Sequence, residues 1–137
     1  MWVRMPDVGG VKIPERTRRD VESRIRKTAE ENFKGKYREL LIRFSGKFCY
    51  VDALCEPYVS DGWPPKDGPE SREEYVERLR STPVHICRLR HYAQDRWGFG
   101  FFTYSNEKYE PSVFPDGDFT GMAEEAFLVC ANVHLAD

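Results

Sequence analysis

The sequence predicts an α+β fold, an antiparallel sheet of about five strands with helices mainly on one face. Three observations lead there. Apolar residues recur at four-residue steps in a charged stretch near the start. Alternating, strand-forming residues fill 38–54 and most of 84–114. Those strands follow one another directly, an order that favours hairpins over parallel crossovers.

The first helix is expected from Pro14, which suits the first helical position because its missing N–H is not needed there. Val21, Ile25, Ala29 and Phe33 form its apolar stripe, and Gly35 lies just beyond as a terminator. In "RELLIRFSGKFCYVDAL", residues 38–54, the alternation of Leu40, Ile42 and Phe44, a turn at Ser45-Gly46, and Phe48, Tyr50 and Val51 read as a hairpin. A two-residue turn pairs Ile42 with Cys49, and a three-residue turn pairs it with Tyr50, exchanging the faces of the second strand. Residues 56–70 hold four prolines and two glycines and read as loop, with Trp63 expected to cover the edge of the core. Ser71 with Glu74 three residues on is a capping box that opens a short second helix, ending before Pro83. A three-stranded meander follows: 84–92, 97–104, and a strand near "KYEPSVF". A last helix, from about Met122 to Asn132, stacks Met122, Ala126, Val129 and Val133.

At 137 residues and 40% hydrophobic content the chain fits one domain, read as 14–137 behind a flexible N-terminal arm, 1–13, in which Met5 offers a second start. No apolar run approaches the ~20 residues that span a bilayer, and the start lacks the apolar region of a secretion signal, so cytoplasmic residence without membrane contact is expected. Cys49, Cys55, Cys87 and Cys130 are too few and scattered for a disulfide scaffold and read as reduced core residues. The net charge of -2 lacks the excess that phosphate backbones attract. It is uneven, at +3 over residues 15–36 and -6 over 105–137, which a solvated amphipathic helix and an acidic tail explain.

"WGFGFFTY", residues 97–104, resembles the aromatic octapeptide of RNA-recognition motifs, with Trp97 where a cation belongs. "CYVDAL", residues 49–54, resembles the partner hexapeptide. The resemblance implies that Tyr50, Phe99 and Phe101 stack bases. It departs from that family in the long interval between this strand and the next helix. "RWGFGFFTYSNEKYEPSVF" followed by "EEAF" resembles small uncharacterised bacterial proteins over most of residues 15–135, which implies a bacterial protein of that kind and carries no activity, cofactor or site.

The turn between Tyr92 and Trp97 decides what these rings do. A two- or four-residue turn pairs Tyr92 with Trp97 and gathers Ile86, Arg88, Arg90, Tyr92, Trp97, Phe99 and Phe101 on one outward face, where Gly98 and Gly100 let a helix approach the other side. A three-residue turn pairs Leu89 with Phe99 and Cys87 with Phe101, which sends the rings to the core.

His85 and Cys87 share a strand face by simple alternation, and Cys130 and His134 share a helix face, a Cys₂His₂ set without standard zinc spacing. No nucleophile signature or phosphate-cradling glycine loop is present, so no catalytic residue, metal or cofactor is expected. The reading is a non-catalytic binding or protein-interaction module whose partner is a protein or a second copy of the chain. The alternative from another class is single-stranded RNA binding through Tyr50, Arg88, Arg90, Trp97, Phe99 and Phe101. A third is a small hydrolase or metalloprotein using His85 and Cys87.

Overall fold

Helix α1 (Glu15–Phe33) forms where the four-residue spacing aligns Val21, Ile25, Ala29 and Phe33, and all four are buried. Pro14 stands at its N-cap, and Gly35 follows with φ of 84°, a left-handed conformation glycine enters without steric cost. In the computed structural model, which describes residues 9–135, this helix and α3 (Ala123–His134) pack together on one face of a sheet. The strands are β1 (Glu39–Ser45), β2 (Phe48–Leu54), β3 (Val84–Ala93), β4 (Arg96–Thr103) and β5 (Lys108–Ser112), all antiparallel and adjacent in chain order. The α+β class and five-stranded antiparallel sheet are those the sequence predicts.

Helix α2 (Arg72–Ser81) carries the expected capping box, with the Glu74 N–H donating to Ser71 Oγ at 3.1 Å, and buries none of its residues. It holds the preceding loop instead: Arg72 donates to the carbonyls of Val59, Ser60 and Trp63 at 3.2, 2.9 and 2.8 Å. Trp63, expected to cover the core edge, stands 51% exposed on this loop, because the loop is tied to α2 rather than to the sheet.

The first hairpin turns at Gly46–Lys47, one residue later than expected, so Ser45 opposes Phe48 and Ile42 opposes Val51. Gly46 takes φ of 60° there, and both anticipated pairings of Ile42 give way. The parity of the two-residue alternative survives. Cys49, Val51 and Ala53 enter the core, and Phe48, Tyr50 and Asp52 face the other side.

Two bulges set the phase of the meander. Ala93 opposes Arg96 across a tight turn, yet His91 rather than Tyr92 opposes Trp97, leaving Tyr92 as the extra residue. Leu89 therefore meets Phe99 and Cys87 meets Phe101, the pairing of the three-residue alternative. Near the other end of β3, Val51 opposes Cys87 while Asp52 opposes His85, so Ile86 is extra.

The core lies between this sheet face and the two helices. Phe33 of α1 meets Phe127 of α3 edge-on at 6.0 Å, and Phe99 meets Phe114 at 4.8 Å. The buried positions of α3 are Ala123, Ala126, Phe127, Cys130 and Ala131; Val133, expected on its stripe, is 63% exposed. Phe127 supplies the bulk that Val133 was expected to give, and Val129 packs partly against the core. Of the stretch read as an arm, residues 1–8 lie outside the described residues. Within 9–13, the Val11 N–H donates to the His91 carbonyl at 2.8 Å, the Ile13 N–H to the Gly46 carbonyl at 2.9 Å, and the Ile13 side chain is in the core. No helix among the described residues is long and apolar enough to cross a membrane.

Candidate functional site

With both core-forming helices on one face, the opposite sheet face carries no packed helix among the described residues. Side chains on this face follow from strand alternation and stand in cross-strand rows. Arg43, Tyr50, Arg88, Gly100 and Pro111 are successive partners across all five strands. Ser45, Phe48, Arg90 and Gly98 form the next row, and Leu41, Asp52 and His85 a third. Phe102 and Tyr109, paired between β4 and β5, continue the third row, since the His85 ring lies 4.5 Å from Phe102 and 6.3 Å from Tyr109.

Cations and rings alternate within these rows. The Arg43 guanidinium sits 4.3 Å from the centre of the Tyr50 ring, Arg88 lies 4.6 Å from Phe48 and 5.4 Å from Tyr109, and Arg90 lies 4.9 Å from Phe48. Lys47 adds a fourth cation 5.6 Å from Phe48. Each such contact is worth about 0.5–1 kcal/mol where solvent reaches it. Among the described residues this face also carries the acids Glu39 and Asp52, the latter engaged by His85 at 3.0 Å, so its described side chains include more cations than acids. Burial, with the Asp52 charge as a smaller cause, pushes the Tyr109 phenol well above the usual tyrosine range and keeps it a neutral ring.

Gly98 and Gly100 both face this surface. A Cβ at Gly98 would stand 3.1 Å from Cε2 of Tyr92, so glycine there lets the Tyr92 ring lie across β4. The helix approach expected over these glycines does not occur, because the helices are on the other side.

The six residues expected to form one binding surface divide. Tyr50, Arg88 and Arg90 lie on the helix-free face, but Arg90 is buried there and donates to the Gly9 carbonyl at 2.9 Å. Trp97 and Phe99 are in the core, 1% and 5% exposed, and Phe101 packs against it. The physical reason is the bulge at Tyr92, which shifts the phase of β4 by one residue. The pairing of His85 with Cys87 is also undone: the bulge at Ile86 turns His85 outward, while Cys87 stays in the core beside Cys130. The four metal-type side chains His85, Cys87, Cys130 and His134 accordingly do not converge among the described residues. Arg43, Phe48, Asp52, Phe102 and Tyr109 were not singled out by the sequence. Spacing alone links Phe48 with Tyr50 and Asp52, and placing the first turn at Gly46–Lys47 would have found them.

Compared with protein-family models, curated proteins and solved structures, the chain matches none.

Proposed function

We propose that this chain binds single-stranded RNA on the helix-free face of its sheet. The observation that carries the reading is the alternation of Arg43 and Arg88 with Phe48, Tyr50 and Tyr109 across neighbouring strands. Phosphates seek cations, and unpaired bases stack on aromatic rings or guanidinium planes, so a surface that interleaves the two suits a single strand. The ring set differs from the one the octapeptide resemblance implies: Tyr50 is common to both, and Phe48 and Tyr109 replace Phe99 and Phe101.

The test is an anisotropy titration of a fluorescein-labelled, mixed-sequence RNA 12-mer at several salt concentrations. Tyr50→Ala should weaken binding about 5- to 150-fold, the equivalent of about 1–3 kcal/mol per stacked base. Arg88→Ala should also reduce the slope of log affinity against log salt by about 0.7, the value for one phosphate contact on a single strand. Absence of binding at 50 mM salt, or affinity indifferent to both substitutions, rejects the proposal.

A further inference from the structure

We infer that the Asp52–His85 pair is a general base that cleaves the RNA lying beside it; this rests on the RNA-binding reading above. The bulge at Ile86 is the starting observation. Uninterrupted alternation would send His85 to the core with Cys87, but the extra residue turns it to the helix-free face, directly opposite Asp52. There its Nδ1 lies 3.0 Å from Asp52 Oδ1. A carboxylate accepts hydrogen bonds, so the contact places a proton on Nδ1, and in the neutral imidazole Nε2 then presents its lone pair.

The imidazole is held from several sides. Its own backbone N–H donates to Tyr104 Oη at 3.0 Å, and its ring contacts Phe102, Tyr104 and Tyr109 at centroid distances of 4.5, 6.3 and 6.3 Å. Asp52 is largely covered, with 17% of its side chain exposed, whereas His85 keeps 38% open to solvent. A sheltered carboxylate behind a reachable imidazole is the order in which a base and its positioning group work. The His85 imidazole and the Arg88 guanidinium lie near the same Tyr109 ring. A nucleotide stacked on Tyr109 thus has a base near its ribose and a cation near its phosphate.

The step needs no metal or redox partner. Nε2 of His85 takes the 2′-hydroxyl proton, the 2′-oxygen bonds to phosphorus, the bond from phosphorus to the 5′-oxygen breaks, and water protonates the departing oxygen. The products are a 2′,3′-cyclic phosphate and a 5′-hydroxyl end, and the imidazolium returns its proton to the hydroxide left behind.

The experiment incubates the full chain with the end-labelled 12-mer and with the same sequence carrying 2′-O-methyl riboses. The cyclic-phosphate product should appear from the first and not from the second, although both are bound. His85→Ala, purified in parallel, should cut the rate by about 100-fold or more, the lower range of general-base contributions, while RNA affinity changes far less. Asp52→Asn should lower kcat with KM little changed, and Asp52→Glu should restore part of the rate, as expected of a positioning residue. RNA that is bound but left intact overturns this inference and leaves the binding proposal standing. RNA neither bound nor cleaved overturns both. Cleavage that persists in His85→Ala assigns the activity elsewhere and overturns the inference even where the variant is folded and binds.

Discussion

Replacing Trp97 by alanine tests the phase of the sheet, on which every statement about its two faces depends. The indole is 1% exposed, lies 4.6 Å from the His91 ring, and belongs to a residue whose N–H and carbonyl bridge to Gly121 at 2.8 and 3.0 Å. The substitution leaves those main-chain bonds in place and empties the side-chain volume. Truncating a buried large aromatic to alanine costs about 3–5 kcal/mol, from lost transfer energy and the cavity left behind. For a chain of this size that corresponds to a fall in Tm of about 9–20 °C. With a urea m-value of about 2 kcal/mol/M, the midpoint should fall by about 1.5–2.5 M. Far-UV circular dichroism is the proper readout, because the substitution removes one of three tryptophans from any fluorescence signal. In the alternative phase the same indole stands in solvent between arginines, where truncation stays within about 0.5 kcal/mol. A midpoint shift below about 0.5 M would refute the assignment of Trp97 to the core, and with it the helix-free face as described.

The thiols and one close glycine give further checks. Burial pushes the Cys49 thiol up to about 12, a hydrogen bond that the Cys87 thiol donates to Cys130 together with burial raises Cys87, and half-buried Cys55 is raised by burial against the opposing charge of Arg38. Since the thiolate is the reactive form and Cys130 is also sealed, alkylation at pH 8 followed by mass spectrometry should modify Cys55 first, and all four cysteines only in denaturant. Gly121→Ala would place a methyl 2.8 Å from Cε1 of Phe114, and the overpacking should cost about 1–3 kcal/mol in a urea titration.

Much of the fold was legible because local rules and tertiary packing agree. The α1 stripe is written in Val21, Ile25, Ala29 and Phe33, and the start of α2 in Ser71 and Glu74; both stand where the spacing puts them. The helix-free face was legible only in part. Tyr50, Arg88 and Arg90 lie on it as expected, but the rings grouped with them came from the other side of β4. A bulge leaves little mark in composition: Tyr92 and Ile86 are ordinary strand residues, and what places the bulges is the demand that Trp97, and Ile86 together with Cys87, be buried. That demand comes from α1 and α3, which a window along β3 does not see. The last helix shows the converse error. Val133 looks like part of the apolar face yet is 63% exposed, Val129 is only partly buried against the core, and the fully covered positions are Ala123, Ala126, Phe127, Cys130 and Ala131.

The two extruded residues of β3 work as phase markers, each one residue long, at opposite ends of a ten-residue strand. Losing Tyr92 would rotate all of β4 through half a turn, carrying Trp97 and Phe99 into water and Gly98 and Gly100 beneath the helices. Losing Ile86 would swing His85 inward against the cysteines. Chain length in this strand is therefore fixed to the single residue, whereas the proline-rich loop suspended from Arg72 carries no such constraint. Insertions and deletions in relatives of this chain should crowd into 56–70 and spare 85–97.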